Sequence, residues 1–171
     1  MSDMSSEELK AIKILSDQAI GAQSILYRTF QEKLNADKNK INKIELTYFS
    51  LSIIYLALLR YRCDLDKAKI SSSVFLLVLE ESIKLSRPPI SIEDAWSVLI
   101  KRIKEYEVMM RDIGKSDENR PPGGIETTIM LHLFELSVRH LGTPPMLSIV
   151  GVSFLVEGIL LDTIDLLNIS L

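Results

Sequence analysis

Residues 91–114 have the sequence SIEDAWSVLIKRIKEYEVMMRDIG, and this stretch decides the fold class. Apolar residues recur in it at alternating spacings of four and three, which is the pattern of an α-helix that buries one face. They are Ile92, Trp96, Leu99, Ile103, Tyr106, Met110 and Ile113. Ser91 is suited to cap the start of this helix, and Gly114 is suited to end it. The stretch therefore predicts a long amphipathic helix with a charged outer face.

Two more helix starts are marked earlier in the chain. Ser5 and Glu8 have the spacing of a capping box, in which each side chain satisfies a free backbone N–H group. Asn42 and Glu45 predict a second start, and residues 44–62 are apolar on nearly all sides. A helix of this kind usually lies in the middle of a bundle. We therefore expect helix 44–62 to be a buried central helix.

The next segment, residues 64–79, is ambiguous. Its last part, VFLLVL at residues 74–79, has the β-branched and aromatic content of a buried strand. No second strand pattern occurs in the chain to pair with it. We therefore predict a third helix that ends near Ser86, where Pro88 and Pro89 follow.

Two further helices are predicted after Gly114. Residues 115–124, KSDENRPPGG, predict an exposed Pro/Gly-rich loop. A fifth helix then runs to Leu141, and a sixth begins near Pro144 and runs towards Asn168. The length of 171 residues suits one domain. The sequence thus predicts an all-α fold, a single-domain bundle of about six helices over residues 1–171.

Composition bears on location and partners. The formal net charge of −3 gives no general attraction to nucleic acid. The single cysteine, Cys63, cannot form an internal disulfide, and the first residues lack the pattern of a signal peptide. Residues 146–161 are apolar, but they are too few to cross a bilayer and include Glu157. We expect a cytoplasmic protein that binds neither nucleic acid nor membranes.

Motifs of catalysis and cofactor binding are absent from the sequence. It contains no phosphate-binding glycine loop, no Rossmann glycine pattern, no H-E-x-x-H and no paired-cysteine metal site. With one cysteine and two histidines, a zinc or iron site would depend on carboxylates. Asp162 and Asp165 form a possible carboxylate pair, but solvent exposure explains them better. We predict no catalytic residue, cofactor or metal, and a noncatalytic protein is favoured over an enzyme.

One set of candidate contact residues lies on the central helix. Tyr48, Tyr55 and Arg62 follow one another at a spacing of seven, so they share one side of the helix. Tyrosine and arginine are frequent anchors in protein interfaces. The alternative is that they are boundary residues whose polar ends reach water.

A second set lies on the predicted fifth helix. Thr128, His132, Glu135 and Arg139 recur at spacings of four, three and four, which places them on one face. His132 could act as a base oriented by Glu135, or both could bind a ligand or metal. The alternative is that this stripe is the solvent-facing side of the helix, on which Glu135 and Arg139 form an ordinary pair.

Two function classes remain open. The sequence favours a noncatalytic protein-binding or regulatory protein, such as an adaptor, an inhibitor or an immunity-type protein. The partner could be a second copy, because Ser148, Gly151 and Gly158 would allow close approach of another helix to the sixth helix. The alternative is a small-molecule-binding protein or enzyme, with an apolar pocket between the second, fifth and sixth helices. Its polar groups would include Tyr55, His132 and Glu157.

Overall fold

The computed structural model describes residues 4–32, 42–61, 64–84, 89–111 and 146–171. The described residues form five helices, and no strand occurs among them: α1 (Ser6–Glu32), α2 (Lys43–Arg60), α3 (Lys67–Lys84), α4 (Ile92–Arg111) and α5 (Met146–Ser170). The prediction of an all-α fold is confirmed. Helix α5 corresponds to the sixth predicted helix. The predicted fifth helix and the predicted loop 115–124 lie outside the described residues.

The three predicted helix starts are confirmed by their hydrogen bonds. The Ser5 backbone N–H donates to Glu8 Oε2 at 2.8 Å, and the Glu8 N–H donates to Ser5 Oγ at 3.1 Å. The Asn42 side chain accepts from the Glu45 N–H at 3.5 Å. Ser91 Oγ accepts from the Asp94 N–H at 3.1 Å. Each bond satisfies a donor that the first turn of a helix leaves free.

Helix α2 lies at the centre of the described bundle. It packs against all four of the other described helices, and most of its side chains are buried. This arrangement follows from its sequence, because a helix that is apolar all round needs neighbours on every side. It ends at Arg60, two residues before the predicted end, and Tyr61 follows in an extended conformation.

Helices α1 and α3 run parallel to each other beside α2. Glu8 forms a salt bridge of 3.1 Å with Lys69, and Ile20 and Glu81, further along the same two helices, line one groove. The predicted apolar stripe of α1 is buried along this interface and against α2: Ile12, Leu15, Ala19, Ala22 and Leu26. Residues 74–79 are helical, as predicted in preference to a strand.

Helices α4 and α5 complete the described bundle. Helix α4 packs on α2 and α3 and buries Ala95, Leu99 and Ile103, whereas Ile92 and Trp96 are half-buried. Helix α5 packs on α1 and α2. Its buried side is formed by Val156, Ile159, Thr163 and Leu167. The opposite side of α5 faces away from the core.

Candidate functional site

The structure describes two of the six candidate contact residues. Tyr48 and Tyr55 both lie on α2, but only 2% of Tyr48 is exposed, whereas Tyr55 is half-buried. Arg62 and the three residues of the predicted fifth helix, His132, Glu135 and Arg139, lie outside the described residues. Their roles remain predictions.

Tyr48 lies beside a salt bridge between α2 and α4. Arg102 Nε donates to Glu45 Oε2 at 2.9 Å, and Arg102 Nη2 donates to Glu45 Oε1 at 2.8 Å. Burial raises the pKa of Tyr48 to about 12, and the negative charge of Glu45 acts in the same direction, while Arg102 opposes it. Tyr48 therefore stays protonated over the physiological pH range, and it contributes to the core rather than to an accessible contact surface.

Sequence reasoning missed this salt bridge. Glu45 was expected only as part of a helix start and Arg102 only as part of a charged outer face. The two residues are 57 positions apart in sequence, so their contact depends on how α4 lies across α2. The one available signal was a glutamate and an arginine that each adjoin apolar positions, which marks charged residues at the edge of a core.

Tyr55 lines a small cleft between α2, α3 and α4. Its ring packs edge to face on Phe75 at 5.8 Å between centroids, and Phe75 packs likewise on Trp96 at 6.0 Å. The cleft has a volume of about 270 Å³, which is slightly below the usual range of small-molecule sites. Lys104 stands among its lining residues. Contact with Phe75 covers part of the Tyr55 and Trp96 rings. Aromatic pairs of this kind stabilise each other.

A larger groove lies between α1, α2 and α3. Its volume is about 480 Å³, within the range of small-molecule sites. The apolar lining residues are Ile20, Ile44 and Leu46, and the polar and aromatic ones are Gln23, Ser24, Tyr27, Lys43, Thr47, Glu81 and Ser82. Among the described lining residues, three apolar side chains are thus combined with seven polar or aromatic ones.

Charged and hydroxyl groups are unevenly distributed around this groove. The Lys43 ammonium lies over the Tyr27 ring, 5.1 Å from its centroid, at a cation–π distance. The hydroxyl oxygens of Thr47 and Ser82 are 3.1 Å apart and connect α2 to α3. Glu81 is paired with Lys84 at 3.3 Å. The groove therefore has an ammonium group on α2 and, on α3, a carboxylate that is paired with a lysine of its own helix.

The outer face of α5 is a second candidate surface. Phe154 and Leu161 are 56% and 52% exposed, and Ile169 is 83% exposed. A Cβ atom built on Gly151 or Gly158 would meet no atom within 4 Å. Two of the three small residues predicted to allow close approach, Gly151 and Gly158, thus face open space on α5, next to large exposed apolar side chains.

The predicted pocket between the second, fifth and sixth helices cannot be located in the described residues, because its fifth helix lies outside them. Glu157, named as one of its polar groups, is exposed on α5. Asp162 and Asp165 are exposed as well. The described groove and cleft involve α1 to α4 instead.

Within the described ranges, no group of three or more His, Cys, Asp or Glu side chains is placed to hold a metal ion. None of the helices in these ranges combines the length and the apolar character that crossing a membrane requires.

The chain has no significant match among protein-family models, curated proteins or solved structures. Its function is therefore inferred from its own geometry and chemistry.

Proposed function

We propose that this protein is a noncatalytic protein-binding protein that self-associates through the outer face of α5. The observation that carries the proposal is that large apolar side chains alternate with glycines on that face. Phe154 and Leu161 project where Gly151 and Gly158 leave open space. An exposed apolar surface of this kind marks an interaction site in many proteins.

This face complements itself when two copies of α5 cross antiparallel. A two-fold axis between Phe154 and Gly158 places Phe154 over Gly158 of the partner subunit. The same axis places Leu161 over Gly151 of the partner subunit, because these residues are equally far from the axis. Each projecting side chain then enters a glycine recess, and the two backbones can approach closely.

The charges on this face favour the same arrangement. Asp162 and Asp165 are exposed and lie towards the C-terminal end of α5. In the antiparallel pair Asp165 comes next to the first turn of the partner's α5, and Asp162 comes next to the start of its second turn. The start of a helix carries a partial positive charge that attracts carboxylates. The contact is made twice, once at each end of the pair.

Analytical ultracentrifugation of the full chain tests this proposal. We expect a species of twice the chain mass of 19.3 kDa at ~0.1 mM protein, and a dissociation constant raised about tenfold or more by Leu161→Asp. Leu77→Asp is the matched control, because Leu77 on α3 is 53% exposed but lies away from α5. A wild-type chain that stays monomeric over this range would overturn the proposal.

The variant Gly158→Leu tests whether self-association depends on the shape of this face or only on its apolar character. The substitution makes the surface more apolar and removes a residue that disfavours helices, yet it fills the recess for Phe154. We expect weaker self-association. Stronger self-association of Gly158→Leu would contradict the antiparallel arrangement.

The proposal includes three features that come from the sequence. They are the noncatalytic role, a single domain of about six helices and a cytoplasmic location. The absence of catalytic motifs supports the first, and the lone cysteine, which cannot form an internal disulfide, supports the third. We propose that the dimer is the form that binds other proteins. The Leu161→Asp variant then tests whether dimerisation is needed for that binding.

A further inference from the structure

We propose that the groove between α1, α2 and α3 binds a small amphipathic carboxylate, with its aliphatic chain on the apolar lining and its carboxylate at Lys43. The groove volume of about 480 Å³ suits a ligand of this size, since small-molecule sites measure roughly 300–1,000 Å³. None of the lining residues that the structure describes belongs to α5. The inference is therefore independent of the proposed self-association.

The apolar part of the groove can cover an aliphatic chain. Leu46 is fully buried and forms part of the floor, while Ile20 is 43% exposed at the rim. Ile44, the third apolar residue among the described lining residues, is half-buried. A ligand chain placed here would remove the exposed surface of Ile20 from water, which is favourable in proportion to the apolar area covered.

The charges of the groove select an anion over a cation. Lys43 contacts the Tyr27 ring, but none of the described carboxylates lies within ion-pair distance of its ammonium. The other charged residue among the described lining residues, Glu81, is paired with Lys84 at 3.3 Å. Of the described lining residues, Lys43 therefore carries the charge that no described group pairs, and that charge is positive. A ligand carboxylate at Lys43 would form a charge-assisted hydrogen bond, which is stronger than a bond between neutral groups.

The tyrosine ring favours a position of this charge at the groove. A lysine side chain has many conformations in water, and ordering it on binding is costly. The contact of Lys43 with the Tyr27 ring favours conformations that hold the ammonium at the groove, which lowers this cost. Hydroxyl and amide groups of Gln23, Ser24 and Ser82 line the same groove and can donate hydrogen bonds to a polar head group.

Titration of the full chain with three matched probes, followed by two-dimensional NMR, tests the proposal. The probes are octanoate, 1-octanol and octylammonium, each below its micelle concentration. We expect chemical-shift changes at Ile20, Tyr27, Ile44 and Thr47, with affinities in the order octanoate, octanol, octylammonium. Shift changes confined to other parts of the chain would overturn the proposal, and so would octylammonium affinity equal to or above that of octanoate.

Two variants test the roles of charge and space. Lys43→Met keeps an unbranched side chain of similar length, and we expect it to lower octanoate affinity about tenfold, to the level of octanol. Lys101→Met is the control, because Lys101 is exposed on α4, away from the groove. Ser24→Phe places a large side chain at the rim from an exposed position, so it should weaken octanoate and octanol alike. Unchanged octanoate affinity in Lys43→Met would refute the assigned role of this lysine.

Discussion

Arg102 on α4 holds the carboxylate of Glu45 on α2 with two hydrogen bonds, 2.9 and 2.8 Å long. The two side chains are 16% and 10% exposed, so the pair is largely shielded from water. Arg102 also reaches Glu105 on its own helix at 3.3 Å. A paired arrangement of this geometry positions the two helices relative to each other, because the planar guanidinium matches a carboxylate in only a few orientations.

Removal of the arginine should destabilise the protein strongly. We expect Arg102→Met to lower the free energy of unfolding by about 2–4 kcal/mol, since it leaves the Glu45 carboxylate shielded and unpaired. The double variant Glu45→Met/Arg102→Met should recover much of this loss, because no charge is left without a partner. Urea unfolding of the wild type, of Arg102→Met, of Glu45→Met and of the double variant gives the coupling energy between the two residues. Equal stability of single and double variants would contradict this account.

Alkaline unfolding should reveal the shielded phenol of Tyr48. Its pKa is raised from 10.0 to about 12 in the folded protein, so the unfolded state ionises first as the pH rises. The stability present below pH 10 is therefore lost as the pH rises from 10 through 12. Tyr48→Phe cannot ionise in either state, and we expect it to lose less stability than the wild type between about pH 10 and about pH 12. Identical pH dependence in denaturant titrations would disprove this assignment.

Acid should weaken the start of α1 through Glu8. The backbone N–H of Ser5, and then the hydrogen bond from Lys69, hold the pKa of Glu8 below its ordinary value of 4.5. A lowered pKa stabilises the fold above pH 4.5, and this contribution is lost as the pH falls below that value through the folded-state pKa. We expect Glu8→Gln to be less stable than the wild type near neutral pH and the difference to shrink in acid.

Thermal unfolding at several pH values measures this difference. Glu7→Gln removes an exposed carboxylate from the same first turn and controls for the loss of charge near the helix start. A difference between Glu8→Gln and the wild type that stays constant down to acid pH would argue against the capping role.

Two buried serines should respond oppositely to substitution by alanine. The Ser16 hydroxyl on α1 is buried without a hydrogen-bond partner in the described structure, which is costly. Ser50 on α2 is fully buried, and its hydroxyl donates to the Leu46 carbonyl at 2.8 Å. We expect Ser16→Ala to raise the free energy of unfolding by about 1 kcal/mol and Ser50→Ala to leave it unchanged or lower it. Unfolding in guanidinium chloride distinguishes these outcomes. A destabilised Ser16→Ala variant would contradict the account, because it would mean that the Ser16 hydroxyl does form a hydrogen bond in the folded protein.

The features that could be predicted from sequence are those set by neighbouring residues. The caps at Ser5, Asn42 and Ser91 depend on contacts across three positions, so the local sequence determines them. The central place of α2 followed from its apolar composition alone. The choice of helix over strand for residues 74–79 was correct because a strand cannot satisfy its backbone without a neighbour.

Features that depend on the spatial order of helices could not be predicted. The groove joins Ile20, Lys43 and Glu81 from three helices, and periodicity does not tell which helices are neighbours. The apolar stripe of α4 shows the same limit. Ala95 is buried, whereas Ile92 and Trp96 are half-buried. The reason is that α4 lies at the side of the bundle, where its most buried positions are those that face α2 and α3. The spacing of Gly151 and Gly158 places them on one face of α5, but it does not show that this face points away from the core.

The position of α5 delays completion of the fold during synthesis. The Tyr61 hydroxyl donates to the Leu167 carbonyl at 3.4 Å across 106 residues of sequence, and Lys10 donates to the Ser170 carbonyl. At ~5–20 residues per second, the ribosome needs roughly 5–20 seconds to make the intervening chain. Over that interval the nascent protein exposes the sides of α1 and α2 that α5 later covers. The apolar side chains on those sides of α1 and α2 are therefore open to intermolecular contacts until α5 is made.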